Sequence, residues 1–186
     1  MLGADDVLDP TPRRVLVAGT TGVGKTTTAA RIGAALGLPH TEIDALYHGP
    51  RWEPRESFIA DVEAYTSEPA WVTEWQYRPV RALLAERADT LVWIDLPDHV
   101  ALWRLIRRTL RRRLRRIELW NGNVEPPLWT VFTDPGHIVR WGISTRNSTR
   151  RSVPALVRDE PHLRIVHLRS QRDVDRFVQH LDRGRG

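Results

Sequence analysis

The chain has no cysteine and only one lysine, and both scarcities limit what it can be. Without thiols there are no disulfides, no thiolate-held zinc and no cysteine nucleophile. No apolar run approaches the roughly 18 residues that a membrane-crossing helix needs. The first ten residues carry Asp5, Asp6 and Asp9, where an export signal would be basic and then greasy. These absences lead us to expect a cytoplasmic protein with no membrane partner. At 186 residues, the chain has the length of a single domain able to bury a sizeable core, which argues against multi-domain motor architectures.

Positive charge is plentiful but unevenly placed. Of 28 basic side chains, 27 are arginine. Twelve of them lie between Trp103 and Arg151 against only Glu118, Glu125 and Asp134, a local net charge of +9, while the rest of the chain is net acidic. Such a field expects an anionic partner. Nucleotide phosphates, a nucleic acid backbone or an anionic lipid surface would each satisfy it, so sign alone does not choose.

The lone lysine is more specific. Lys25 sits in Gly19-Thr20-Thr21-Gly22-Val23-Gly24-Lys25-Thr26, followed by Thr27, and this fits the phosphate-loop pattern of glycine, four residues, then glycine-lysine-threonine. Its context also fits, with the apolar run Val15 to Ala18 reading as a buried strand before it. Ala29 to Leu36 reads as a helix after it, closed by Gly37 and Pro39. Glycines let main-chain N–H groups converge on a phosphate, and the helix start adds partial positive charge. A slim ammonium reaches terminal phosphates in a way a forked guanidinium does not, and Thr26 offers its hydroxyl to magnesium.

Beyond this unit, Thr41 to Ile43, Trp71 to Thr73, Leu91 to Asp95 and Leu163 to Leu168 read as strands. Ser57 to Thr66, Val80 to Ala88, Asp98 to Ile117, His137 to Arg151 and Asp173 to Asp182 read as helices. Five strands alternating with helices predict an α/β domain with a parallel sheet covered on both faces, its ligand at the carboxyl ends of the strands. Three carboxylates follow strands there: Asp44, Glu74 and Asp95. Any of them suits a magnesium–nucleotide site or an acceptor's proton, and each has a structural alternative. Asp95 could set up the turn at Leu96-Pro97-Asp98, Asp44 could be a turn residue, and Glu74 could be a solvated edge.

In the helix from Asp98, Leu102, Ile106, Leu110 and Leu114 recur every four residues and are expected to pack, leaving arginines on the other faces. Seven arginines from Arg107 to Arg116 repel one another, a cost that an anion would relieve. Those at the C-terminal end run into an unpatterned segment, Glu118 to Pro135, whose Asn121-Gly122-Asn123 reads as a turn with Glu125 beside it. Arg140, Arg146 and Arg150 could reach the same place from the next helix. Trp52 and Trp75 are candidates for stacking on a planar substrate. The histidines show no zinc-like spacing.

Together these residues resemble the adenylate-kinase-like small P-loop kinases, and among them the bacterial topology-modulation or AAA-family ATPase subgroup. The likeness spans about Arg14 to Leu181. It rests on Gly19 to Thr26, Ile43-Asp44-Ala45-Leu46-Tyr47, Val92-Trp93-Ile94-Asp95-Leu96-Pro97 with Leu102-Trp103-Arg104 and Arg107-Arg108, and Leu168-Arg169-Ser170. The resemblance implies one P-loop NTPase domain over 1–186, a three-layer sandwich with a five-stranded parallel sheet ordered 2-3-1-4-5 and a helical arginine-rich lid at about 112–136. It also implies ATP with Mg2+, Asp44 facing a small-molecule acceptor, Arg108 and Arg112 facing phosphates, and Arg169 and Ser170 facing adenine. Thr26 with Glu74 or Asp95 would serve the metal. Where relatives read aspartate-glycine-asparagine-tyrosine after the third strand, this chain has Glu74-Trp75-Gln76-Tyr77. The expectation is a kinase moving the γ-phosphoryl of ATP to a small acceptor, with an ATP-binding regulator that docks on nucleic acid as the alternative. A GTPase asparagine-lysine-x-aspartate motif is excluded because the only lysine is already in the phosphate loop.

Overall fold

A computed structural model describes residues 1–127, 129–133 and 138–183. In chain order the elements are β1 (Arg14–Gly19), α1 (Lys25–Leu36), α2 (Ile43–Tyr47), α3 (Phe58–Thr66), β2 (Trp71–Glu74), α4 (Arg81–Arg87) and β3 (Thr90–Ile94). They continue with α5 (Asp98–Leu114), α6 (Thr130–Thr133), α7 (Ile138–Ser144), α8 (Ser148–Asp159), β4 (Arg164–Leu168) and α9 (Gln171–Arg183). Short 3-10 turns cover Pro50–Trp52, Arg78–Val80 and Trp120–Gly122.

Alternation along each strand divides the core. Val15 and Val17 of β1, Val92 and Ile94 of β3, and Val166 and Leu168 of β4 point to one face, where α1 and α9 cover them with Ala29, Ile32, Phe177 and Leu181. Leu16, Ala18, Trp71, Leu91, Trp93 and Ile165 point to the other, against Phe58, Val62, Leu84 and Val153 of α3, α4 and α8. The result is three layers around a fully parallel sheet, as the buried apolar runs predict.

The sheet nevertheless has four strands among the described residues, in the order β2-β1-β3-β4, rather than five ordered 2-3-1-4-5. The expected strand at Thr41 to Ile43 is the one missing. Val72 N donates to Pro39 O at 2.9 Å and Thr41 N to Val72 O at 3.2 Å, so pairing with β2 begins and then stops. The next ladder donor is diverted, because Ile43 N–H bonds the Glu74 carboxylate at 3.0 Å and the chain turns into α2. At the opposite edge, β4 is partly covered by Leu2, whose N and O pair with Ile165 and His167, each at 2.8 Å.

Two helical expectations also change. The stretch from His137 to Arg151 divides into α7 and α8 at Thr145–Asn147, with His137 itself outside the described residues. On α5 the buried face is Ala101, Leu105 and Thr109, while Ile106 and Leu110 are each 39% exposed and Leu114 is 77% exposed. The leucine stripe does not pack. Helix α5 instead presses Ala101 and Leu105 onto the phosphate loop, where a Cβ built on Gly22 would run into Ala101 O and lie 3.0 Å from Leu105 Cβ. Leu105 is also seated on Gly142 of α7, whose own Cβ would meet it at 2.5 Å.

Candidate active site

Strands β1, β2 and β3 deliver their carboxyl ends to one edge of the sheet, and the phosphate loop leaves β1 there. Gly22 and Gly24 adopt left-handed φ values of 93° and 96°, conformations closed to most side chains, and Gly24 starts α1. Lys25 follows at once and is buried, its Nζ donating to Thr20 O at 3.3 Å. Burial pushes its pKa down to about 8; Asp44 and Glu74 partly counter this, while Arg108 and Arg81 reinforce it. Those five side chains, drawn from α1, α2, β2, α4 and α5, therefore share one electrostatic neighbourhood. The Thr20 hydroxyl beside them is buried, with no hydrogen-bond partner among the described residues.

Glu74 is buried, not a solvated edge. Burial pushes its carboxyl upward, but bonds from His40 at 3.4 Å, the Ile43 N–H and the Thr26 hydroxyl outweigh this and leave it below its ordinary value. Thr26 and Glu74 thus present two hard oxygen donors next to the loop, a set suited to a magnesium ion whose other ligands are phosphate and water. Among the described residues no three His, Asp or Glu side chains gather into a cage that would hold a metal unaided. Asp95 lies in a different network. Arg150 Nε reaches its Oδ1 at 2.7 Å and His167 Nε2 lies 3.2 Å from its Oδ2, while Arg150 also bonds Asp98 and Leu96 O. These contacts tie Asp95, at the end of β3, to α8 and β4.

Asp44, in the first turn of α2, is engaged by the segment that departs from the resembled family. Gln76 Nε2 donates to Asp44 Oδ1 at 2.9 Å and Tyr77 Oη donates to the same oxygen at 2.6 Å. Tyr77 Oη also lies 3.2 Å from His48 Nε2, and its ring stacks on Tyr47 at 3.9 Å. Burial and the adjacent Asp44 carboxylate both push the Tyr77 phenol well above its ordinary value. It is a fixed donor at neutral pH. Tyr77 holds a φ of 57°, rare for an aromatic residue, so the turn is strained where it meets Asp44.

Arg108 and Arg112 face inward from α5. Burial and the nearby Arg112 push Arg108 below its ordinary value, with Glu125 and Asp44 countering, and its buried Nε has no partner among the described residues. Arg112 is 3.5 Å from Glu125 and lies over Trp120 at 5.9 Å, while Arg113 bonds Glu125 O at 3.1 Å. The following turn then reaches across to the segment after α2. Asn123 accepts from Trp52 N at 2.9 Å and donates to Gly49 O at 2.8 Å, and Trp120 Nε1 donates to Glu42 at 2.8 Å. Residues 118–125 therefore lie against residues 42–52. Residues 134–136, the far end of the expected lid, are outside the described residues.

On the β4 side, the main-chain N–H groups of Arg169 and Ser170 both donate to Asp173, at 3.1 and 2.9 Å, and Ser170 Oγ accepts from Asp173 N. This reciprocal cap opens α9. Arg104 ties that region to the phosphate loop, bonding Gln171 at 2.9 Å and Val23 O at 3.5 Å. Thr20, Thr21, Ala101, Leu105, Gly142 and Arg146 contribute to the lining of a cavity of about 290 Å3 between α5 and α7. Of the other arginines considered, Arg150 is held by Asp95 and Asp98, and Arg146 lies 3.9 Å from Asp98. Neither joins Lys25. Sequence reading missed Tyr77 and Arg81 as site residues. The signal for both was the bulky Trp75-Gln76-Tyr77 stretch at a strand end where small residues are expected.

No family model matches the chain, and no curated protein matches it. Solved structures do match in fold. A gluconokinase from Sinorhizobium meliloti 1021 is similar over 93% of this chain and 93% of its own, with 21% identity and a TM-score of 0.53. A shikimate kinase from Acinetobacter baumannii, in complex with shikimate, is similar over 91% and 90%, with 14% identity and a TM-score of 0.54. A shikimate kinase from Bacteroides thetaiotaomicron is similar over 92% and 97%, with 15% identity and a TM-score of 0.50. At these identities the likeness establishes a shared α/β fold.

Proposed function

We propose that the protein is an ATP-dependent phosphotransferase that moves the γ-phosphoryl group to a hydroxyl of a small acceptor. One observation carries this reading: a buried lysine in a phosphate loop shares its electrostatic surroundings with Asp44, Glu74 and Arg108. The kinase neighbours in fold support it, and so does the sequence resemblance to the P-loop kinases, including the topology-modulation subgroup. Loop amides and Lys25 hold the phosphates, with Thr20, Thr21 and Thr27 flanking them. Thr26 and Glu74 would hold magnesium, which when bound would neutralise phosphate charge.

In the transfer, the acceptor oxygen forms a bond to the γ-phosphorus as the bond to the β,γ-bridging oxygen breaks, leaving ADP. The acceptor proton passes to Asp44, which first exchanges its Tyr77 hydrogen bond for the incoming hydroxyl. Arg108 and Arg112 face the charge on the equatorial oxygens. Segment 112–136 acts as the lid in this reading, with Asn123 and Trp120 as its contacts to the acceptor side. Arg169 and Ser170, with Arg104, flank the adenine. Asp95, fixed by Arg150 and His167, is assigned a structural role instead.

The nucleic acid alternative draws no support from the neighbours. Arg104, Arg112, Arg113 and Arg150 of the basic segment also direct their charge to partners inside the molecule. Among the described residues no helix is long and apolar enough to cross a membrane. The test is acceptor-dependent release of ADP from Mg·ATP, with transfer of labelled γ-phosphate to product. Lys25→Met is expected to lower that rate about 100- to 1,000-fold. A wild-type protein with no affinity for any magnesium nucleoside triphosphate would overturn the reading.

A further inference from the structure

Arg81 is a part-buried cation in the electrostatic neighbourhood of Lys25 that the transfer chemistry leaves unused. Its placement is unusually determined. Trp75 Nε1 donates to the Arg81 carbonyl oxygen at 3.1 Å, and the Arg81 guanidinium carbon lies 4.9 Å from the Trp75 ring centroid. A single indole therefore anchors both the main chain and the side-chain head of the same residue. Trp75 is itself 7% exposed and packed in the core, so the platform is rigid.

Among the described residues this anchored guanidinium has no counter-ion. Its buried Nε has no hydrogen-bond partner among the described residues, and no carboxylate among them pairs with it. Burial and the neighbouring Arg78 both disfavour its charge, and it adds to the positive field on Lys25. A guanidinium held on an indole ring, with its buried Nε–H lacking an acceptor, is an arrangement that a carboxylate or phosphate oxygen completes. Position then indicates which ligand. With the sheet ordered β2-β1-β3-β4, Arg81 follows β2 and so lies on the Asp44 side of the phosphate loop, away from Arg104 and α9 on the β4 side.

We propose that Arg81, anchored on Trp75, is a binding site for an anionic group of the acceptor, which carries a carboxylate or phosphate in addition to the hydroxyl facing Asp44. Assigning that anion to the acceptor rests on the phosphotransferase reading. The anion site itself does not.

The test uses the full chain saturated with magnesium and a non-hydrolysable ATP analogue, so that the phosphate loop is filled. Inorganic phosphate and acetate serve as minimal probes, followed by matched pairs: gluconate against sorbitol, and glycerol 3-phosphate against glycerol. Calorimetry and the thermal midpoint report binding. The anionic member of a pair should bind at least about tenfold more tightly, and the two pairs separate a carboxylate preference from a phosphate preference. Arg81→Gln should weaken anion binding about 10- to 100-fold with protection by the analogue retained, and Arg81→Lys should recover part of the loss. Three results would each overturn the proposal: no anion binding at tens of millimolar, equal binding of the uncharged partners, or an Arg81→Gln variant that loses the analogue instead. If the analogue fails to protect even the wild type, the phosphotransferase reading falls, while phosphate binding that depends on Arg81 still decides the anion site.

Discussion

Burial takes the Lys25 ammonium out of water, and Asp44 and Glu74 return only part of what hydration supplied, which is why its pKa is near 8. The linkage has a definite sign. Between about pH 8 and 10.5 the unfolded chain keeps a proton that the folded chain has released, so stability rises with pH through that window. Below about 8 the full penalty is present. Lys25→Met should therefore stabilise the ligand-free protein at pH 7 by on the order of 2–3 kcal/mol, the difference shrinking towards pH 10.5. Urea unfolding of both proteins at several pH values measures this, and a variant less stable than wild type at pH 7 would contradict it. At this scale the phosphate loop was legible because its geometry is local, set by glycines at fixed spacing and one lysine. The different surroundings of Glu74 and Asp95 were not. They are set by Ile43 and His40 for the first and by Arg150 and His167 for the second, partners brought in by the fold from elsewhere in the chain.

Among the elements, α5 shows how a helical period can mislead. The leucines at Leu102, Ile106, Leu110 and Leu114 form the more hydrophobic stripe, yet Ala101, Leu105 and Thr109 are buried. The surface offered to α5 is a glycine loop, and Ala101 and Leu105 lie directly against it. Gly22→Ala would meet both a left-handed φ and the Ala101 carbonyl, so α5 or the loop has to shift. The expected loss is about 1–3 kcal/mol of stability, together with weakened nucleotide protection, read from thermal midpoints with and without a magnesium–ATP analogue. A Gly22→Ala protein with unchanged stability would refute the close contact. The missing strand has the same origin. Thr41 to Ile43 has strand composition, but the carboxylate of Glu74 captures the amide that the ladder required.

For the molecule as a whole, alternation of apolar runs was enough to foresee a parallel sheet covered on both faces, and four of the five expected strands are present. The contact of residues 118–125 with residues 42–52 was not foreseeable. It depends on Asn123, an ordinary turn residue in the sequence that is 4% exposed in the fold. Asn123→Ala removes its bonds to Trp52 N and Gly49 O, and is expected to cost about 1–2 kcal/mol of local protection. Hydrogen exchange should accelerate in residues 48–53 and 118–125 while the sheet amides keep their protection. Uniform acceleration would contradict a local latch.

The lysine count has a practical corollary for this chain. Apart from the α-amine at Met1, an acylating reagent meets a single primary amine, and that amine lies in the phosphate loop. Near pH 8 about half of it is uncharged and nucleophilic. Mass-spectrometric labelling at this one atom is thus a direct occupancy gauge, and trypsin, cutting at arginines, isolates it in a peptide of its own.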